Sequence, residues 1–168
     1  ITYEDFAWFL KYADESAKKI KFVLIGNLYM EIPVSDHIVY LGFVDEHTKF
    51  NLIKHSLFLF QPSQFESLSM VVLEAFAMEK PVLVHKNCEV MKDHIDLSKG
   101  GYYYNNYRDF RYAFDQLTEN KYLNKKMGES GKAYLDKNYR WDNIIDKFQN
   151  VIENKLNKSV RKLPDEYS

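Results

Sequence analysis

Short apolar runs alternate with helix-like segments along the chain, and this alternation constrains the fold more than any other feature. Strands that alternate with helices form parallel sheets, and strands that are apolar throughout are typical of sheets covered on both faces. The sequence therefore predicts an α/β fold, a parallel sheet with helices on both faces. The expected strands are 22–26, 38–43, 57–60, 82–84 and 102–104, and the expected helices are 3–19, 45–55, 67–79, 89–95, 109–118, 121–137 and 141–155.

Composition and charge exclude several classes of protein. The chain has 168 residues, which suits one domain with a real core, and we expect this domain over residues 1–156 with a polar tail over 157–168. The formal net charge is −1, so no strong field attracts nucleic acid, and we expect no nucleic-acid partner. Cys88, the single cysteine, excludes an internal disulfide and a multi-cysteine zinc site.

The predicted sheet indicates where a ligand would bind. In open parallel sheets, ligands lie beyond the carboxyl ends of the strands. The segments that follow the predicted strands are therefore the candidate binding segments. They are 26–27, 43–45, 61–69 and 85–88.

The segment 70–78 is apolar except for Glu74. A helix that is apolar on nearly every side is buried, and an isolated carboxylate within it is costly. Two interpretations follow, and both stay open at this point. Glu74 either pairs with a cation or a backbone donor in the core, or it faces a cleft and accepts hydrogen bonds from ligand hydroxyls.

The start of the same helix is a second candidate feature. Ser67 or Ser69 is a plausible N-cap, and the free N–H groups at a helix start favour a phosphate. Ordinary capping explains such serines as well. A phosphate at the helix start together with a diol near Glu74 would describe a nucleotide.

Glu66 and Glu74 form an E-x7-E pattern, with Pro-Ser at 62–63 before it and Lys-Pro-Val-Leu-Val at 80–84 after it. This frame resembles the signature of family 4 retaining glycosyltransferases, and the resemblance extends over about residues 20–152. It implies the C-terminal, Rossmann-like, donor-binding domain of the two-domain GT-B fold. That family transfers a sugar from a nucleotide-diphosphate sugar to an acceptor hydroxyl with retention of anomeric configuration.

The resemblance implies roles for the residues of the motif. Glu74 would hold the ribose hydroxyls of the nucleotide, and Glu66 would contact the donor sugar as the catalytic residue. The backbone N–H groups of Leu68, Ser69 and Met70 would face the diphosphate or the sugar.

Further contacts are implied for the neighbouring segments. Val44 would border the base, Met70 or Val71 would pack near the ribose, and Gly26 would leave room at the end of its strand. No metal or other cofactor is implied, and the chain contains no D-x-D metal motif.

The sequence also departs from the family pattern. Many members have glycine where Ser67 and Ser69 stand; serine leaves the N–H groups available but narrows the approach to the donor. The family pairs the phosphates with an Arg and a Lys after its first strand, whereas this chain opens in a predicted helix. We therefore expect the first strand, its two cations and the N-terminal acceptor domain to be absent from this chain. Losing two charged hydrogen bonds weakens binding by a factor on the order of 10²–10⁴, so we expect the fragment alone to be inactive.

These observations predict the donor domain of a hexosyltransferase, with cell-surface polysaccharide synthesis as the implied role. The expected partners are a nucleotide sugar and, through the absent domain, an acceptor glycan or lipid-linked glycan, with membrane contact only through that domain. The implied location is cytoplasmic or membrane-peripheral. Two alternatives remain: a GT-B-type nucleotide-sugar epimerase or hydrolase, and a non-catalytic receiver-like α/β module.

Overall fold

The computed structural model describes residues 2–16 and 19–160. Its strands are β1 (Phe22–Leu24), β2 (Ile38–Tyr40), β3 (Leu59–Gln61), β4 (Val82–His85) and β5 (Gly101–Tyr104). Its helices are α1 (Tyr3–Ser16), α2 (Glu46–His55), α3 (Met70–Ala77), α4 (Glu89–Ser98), α5 (Tyr107–Glu119), α6 (Lys121–Asn138) and α7 (Trp141–Val160). The predicted α/β class and the strand-helix alternation are confirmed.

All strand pairs are parallel, and they form two sheets. β1 pairs with β2, and the second sheet has the order β3-β4-β5. Among the described residues no ladder joins β1 to β3; instead the rings of Phe22 and Phe60 lie 5.4 Å apart, centroid to centroid. The single sheet that the sequence predicts is thus divided into two, and the rings of Phe22 and Phe60 are in contact across the division.

The side chains of β4 alternate between two hydrophobic clusters. Val82 and Val84 belong to a cluster formed with α3 and α4, whereas Leu83 belongs to a cluster formed with α1 and α5. Successive side chains of a strand point to opposite faces of the sheet. Helices therefore cover both faces of β4, as the sequence predicts.

The first two strands are less covered than the apolar pattern predicts. Val23 is 40% exposed in the middle of β1, and Tyr40 is 41% exposed at the end of β2. The segment between these strands contains no helix that could cover them. The expectation of strands buried on both faces holds for β4 and is wrong for β1 and β2.

A buried hydrogen bond attaches the start of α1 to the carboxyl end of β5. The Tyr104 hydroxyl donates to Asp5 Oδ1 at 2.7 Å, and the backbone N–H of Thr2 donates to Asp5 Oδ2 at 2.7 Å. Burial, with the carboxylate beside it, raises the pKa of Tyr104, so its hydroxyl remains a donor. The N-terminus of α1 is thereby held near the edge of the sheet where ligands are expected.

Several predicted boundaries differ from the structure, and two of the differences concern the loop before α3 and the C-terminal tail. The helix expected over 67–79 begins only at Met70, because Ser69 has a left-handed backbone conformation that a helix cannot include. The helix expected to end near 155 continues to Val160, so the first four residues of the expected polar tail are helical. The rest of that tail, 161–168, lies outside the described residues.

The C-terminus of α3 is closed by a Schellman turn against α6. The N–H of Lys80 donates to the Ala75 carbonyl at 2.9 Å, the N–H of Glu79 donates to the Phe76 carbonyl at 3.0 Å, and Glu79 has φ of 55°. Gly128 on α6 lies so close that an added Cβ would be 1.9 Å from the Glu79 carbonyl oxygen. Glycine at 128 is therefore required for α6 to cover the end of α3.

We predict that Gly128→Ala destabilises the protein by about 2 kcal/mol or more, although alanine is the better helix former. The new methyl group overlaps a backbone oxygen, which cannot turn away without opening the Schellman turn. Urea unfolding measures the effect. Lys126→Ala, an exposed position on the same helix, is the control and should change the unfolding free energy by less than about 0.5 kcal/mol. Equal stability of the two variants would contradict this account of the packing.

Candidate functional site

The ends of β1 and β2 are held together by backbone contacts. The N–H of Gly26 donates to the Gly42 carbonyl at 2.8 Å, and the Tyr40 hydroxyl donates to the Gly26 carbonyl at 3.0 Å. Gly26 has φ of 104°, a backbone conformation that residues with a side chain rarely adopt. Val44 is half-buried just before α2. Within the described ranges no hydrogen bond joins Gly26 or Val44 directly to the segment 61–74.

The loop after β3 positions Glu66. Gln61 at the end of the strand donates from Nε2 to Glu66 Oε1 at 3.0 Å, and Ser63 Oγ donates to the Phe65 carbonyl at 3.0 Å. Glu66 is half-buried, whereas Phe65 is 90% exposed. The Glu66 carboxylate is therefore fixed at the carboxyl edge of the sheet by the strand that precedes it.

Ser69 occupies the N-cap position of α3 but does not cap the helix. Its backbone is left-handed, with φ of 54°, and its side chain makes no capping hydrogen bond. It is 5% exposed, and its hydroxyl has no hydrogen-bond partner among the described residues. Ser67 is exposed in the loop before the helix. Serine capping, which the sequence allows at both positions, therefore occurs at neither of them.

The start of α3 presents free backbone donors. The Ser69 carbonyl accepts from the N–H groups of Val72 and Leu73 at 3.0 and 3.4 Å. Over the part of the chain that is described, the N–H groups of Ser69, Met70 and Val71 have no hydrogen-bond acceptor, and Met70 is 61% exposed. Free N–H groups at a helix start, with the positive end of the helix dipole, favour an anion.

His94 on α4 also contacts the loop before α3, a contact that the sequence analysis does not predict. It is 3% exposed, and its Nε2 lies 2.9 Å from the Leu68 carbonyl oxygen, to which it donates. Its Nδ1 lies 3.1 Å from the hydroxyl of Tyr134 on α6. The three groups are far apart in the sequence, so only the packing of α4 and α6 against the loop reveals the contact. The only sequence signal is a histidine on the apolar face of a helix.

Glu74 lies one turn inside α3 and forms an ion pair across to α2. Lys49 Nζ is 2.7 Å from Glu74 Oε1, and the two side chains are 24% and 19% exposed. The first interpretation of Glu74, an internal cation as partner, therefore describes a contact that is present. The second, a contact with ligand hydroxyls, stays a prediction, because the carboxylate is only partly covered and Oε2 has no partner within 2–16 and 19–160.

The last residue of β4 is a buried histidine. His85 is 8% exposed, its Nδ1 accepts from the Asn87 N–H at 3.1 Å, and burial lowers its pKa. A surface cleft of about 560 Å³ lies beyond β4 and β5. Its lining residues are Lys86, Asn87, Glu89, Lys92, Asp93 and Asn105, so this cleft is separate from the start of α3.

The described residues offer no cluster of three His, Cys, Asp or Glu side chains that could hold a metal ion. None of the described helices combines the length and the apolar character that a membrane span requires.

We predict that Ser69→Gly stabilises the protein by about 1 kcal/mol, because glycine adopts the left-handed conformation without strain and removes a buried hydroxyl that lacks a partner. Thermal unfolding measures the gain. Ser67→Gly is the matched control two residues earlier, where φ is not positive, and it should leave stability unchanged or lower it slightly. Loss of stability in Ser69→Gly would contradict the strain at this position.

The comparison with known families agrees with the geometry. The model of the family described as glycosyl transferases group 1 matches residues 9–134, which includes β1 to β5, the loop after β3 and both α3 and α4. No curated protein matches the chain. Because the match extends over most of the chain and includes the whole E-x7-E segment, the chain belongs to the group 1 glycosyl transferases.

Proposed function

We propose that this chain is the donor-binding domain of a retaining glycosyltransferase of family 4 with a GT-B fold. The substrate would be a nucleotide-diphosphate sugar, and the sugar would pass to the hydroxyl of an acceptor glycan or lipid-linked glycan. The observation that carries the proposal is the start of α3, where free N–H groups lie between Glu66 and Glu74.

The diphosphate would bind at the start of α3. The N–H groups of Ser69, Met70 and Val71 lack acceptors in the described structure, and a phosphate oxygen supplies acceptors of the right charge. These donors are fixed before the reaction, so they stabilise the negative charge that develops on the leaving diphosphate without reorganising. The proposed mechanism therefore uses backbone dipoles where other transferases use a metal ion.

The ribose would bind at Glu74. Lys49 engages Oε1, which leaves Oε2 free to accept a hydrogen bond from a ribose hydroxyl. Lys49 also offsets the charge of the carboxylate, which would otherwise repel a diphosphate bound one helical turn away. The ion pair and the ligand role are thus compatible, and we propose that Lys49 keeps Glu74 in place for the ribose.

The donor sugar would lie against Glu66. Because Gln61 holds Oε1 of this carboxylate, Oε2 is the acceptor available to sugar hydroxyls. A carboxylate at this place would orient the sugar and stabilise the positive charge that develops at the anomeric carbon. Of the alternatives, the epimerase or hydrolase would use the same donor site, and only its products would differ.

The open edges of β1 and β3 support a further part of the proposal. Within the described structure, β1 pairs only with β2 and β3 pairs only with β4, so each of the two strands has one edge without a ladder. We propose that in the complete enzyme a further parallel strand pairs with these edges and brings the cations that neutralise the diphosphate. A second domain would supply the acceptor site, and cell-surface polysaccharide synthesis would be the cellular role.

The experiment uses the full-length enzyme and a set of nucleotide-diphosphate sugars with different bases and sugars. Thermal shift identifies the donor, because a ligand that binds the native state raises the Tm. Product analysis with and without an acceptor then separates a transferase from an epimerase or hydrolase. If no nucleotide sugar raises the Tm or is consumed, the proposed function is wrong.

With the donor known, we predict that Glu74→Gln lowers kcat/KM for the donor by about 10- to 100-fold, because a charged hydrogen bond to the ribose is lost. The control is Lys49→Met, which removes the partner but not the proposed ribose contact, so its loss of kcat/KM should be clearly smaller. Steady-state kinetics and thermal unfolding are measured on both variants.

The two variants also test the purely structural role of Glu74. If the carboxylate served only to pair with Lys49, Glu74→Gln and Lys49→Met would lower the Tm by similar amounts, and both would leave the donor KM unchanged. That result would assign Glu74 to the core and remove it from the donor site.

A further inference from the structure

We propose that His94 is a positioning residue that turns the N–H of Ser69 toward the donor, by holding the Leu68 carbonyl inside the protein. This inference rests on the proposed function, because it concerns the diphosphate site at the start of α3. It adds a residue that lies outside the E-x7-E segment and does not touch the donor.

The contact is buried and specific. His94 is 3% exposed, and Nε2 is 2.9 Å from the Leu68 carbonyl oxygen. Leu68 itself is 37% exposed, so the histidine holds the backbone of an exposed loop rather than a core side chain. Among the described residues, no other hydrogen bond reaches the backbone of residues 66–68. Without His94, the backbone of residues 66–68 would have no hydrogen bond to the rest of the described structure.

Because of the geometry of the peptide bond, the contact between His94 and the Leu68 carbonyl also determines the direction of the Ser69 N–H. The Leu68 carbonyl and the Ser69 N–H belong to one peptide unit, which is planar and trans. In a trans peptide the two groups point in opposite directions. Because the carbonyl points inward to His94, the N–H points away from the interior, and it has no acceptor in the described structure.

The hydroxyl of Tyr134 fixes the form of the histidine that this requires. The Leu68 carbonyl can only accept, so Nε2 carries a proton, and in the neutral ring Nδ1 then accepts from the Tyr134 hydroxyl 3.1 Å away. Burial raises the pKa of Tyr134, which keeps its hydroxyl a donor. The ring of Tyr134 also packs edge-on against His94, with centroids 5.8 Å apart. Tyr134 on α6 therefore supports the tautomer of His94, and His94 on α4 in turn holds the backbone of the loop.

The left-handed conformation of Ser69 makes this support necessary. A serine at φ of 54° is strained, and such conformations persist only where the surroundings enforce them. Loss of the bond from His94 would let the Leu68–Ser69 peptide rotate and relieve the strain. The helix would remain, but its first N–H would no longer be aimed at the donor.

The test uses the full-length enzyme and the nucleotide-diphosphate sugar that the wild type consumes. His94→Phe keeps a buried ring but removes both hydrogen bonds, and we expect a rise in donor KM of about tenfold with acceptor KM unchanged. His94→Gln carries an amide N–H near the position of Nε2, and we expect it to restore donor KM to within about threefold of the wild type. Tyr139→Phe is the control, because it removes a hydroxyl 3.5 Å from that of Tyr134 without touching the loop, and its donor KM should not change.

Thermal unfolding of each variant separates positioning from stability. A purely structural role would lower the Tm of His94→Phe and leave the donor KM at the wild-type value well below that temperature. It would equally predict no difference in donor KM between His94→Phe and His94→Gln. Either result overturns the inference.

A crystal structure of ligand-free His94→Phe decides the matter independently of the proposed function. We expect the Leu68 carbonyl to turn away from position 94 and the Ser69 N–H to turn with it. An unchanged peptide orientation overturns the inference. If the wild type consumes no nucleotide sugar, the proposed function fails, and this structure still shows whether His94 sets the orientation of the peptide.

Discussion

The orientation of the peptide between Leu68 and Ser69 is the constraint on which the candidate site depends. α3 is nearly all apolar and packs in the core, with Phe76 and Val72 fully buried, so its axis is fixed by packing. The chain must enter this fixed helix from the end of β3 through a short loop. It does so by a left-handed residue, and the free N–H groups of the first turn are consequently presented at the carboxyl edge of the sheet.

The charge of Glu74 on α3 is also placed by contacts with the rest of the protein. A carboxylate on a core helix needs a partner, and Lys49 supplies one from α2 at 2.7 Å. The pair is only partly covered, so its contribution to stability is small and solvent screens it. Its larger consequence is geometric, because it ties α2, which follows β2, to α3, which follows β3. The two sheets share no ladder within the described residues, and this ion pair is one of the contacts that hold their carboxyl edges in a fixed relation.

Local patterns predicted the features that depend on local chemistry. The fully buried β4 follows from its apolar run, and α2 begins after Asp45, whose carboxylate accepts from the Thr48 N–H. The features that sequence reasoning missed depend on residues far apart in the chain. His94 meets the carbonyl of Leu68, 26 positions earlier, and no periodicity marks that pairing. The division of the sheet was equally hidden, because hydrogen bonding between strand edges leaves no trace in composition.

Ser69 separates the effect of backbone conformation from the effect of side-chain size at this position of the motif. Many members of the family that the motif resembles have glycine there, and a serine side chain would narrow the approach to the donor. In this chain the backbone adopts φ of 54° although a side chain is present, and the hydroxyl is buried without a partner. Backbone strain and an unpartnered buried hydroxyl both lower the stability of this conformation, and Ser69 adopts it nevertheless. The left-handed backbone at position 69 is therefore retained in this chain although a side chain is present, and glycine is the residue that would adopt it with least strain.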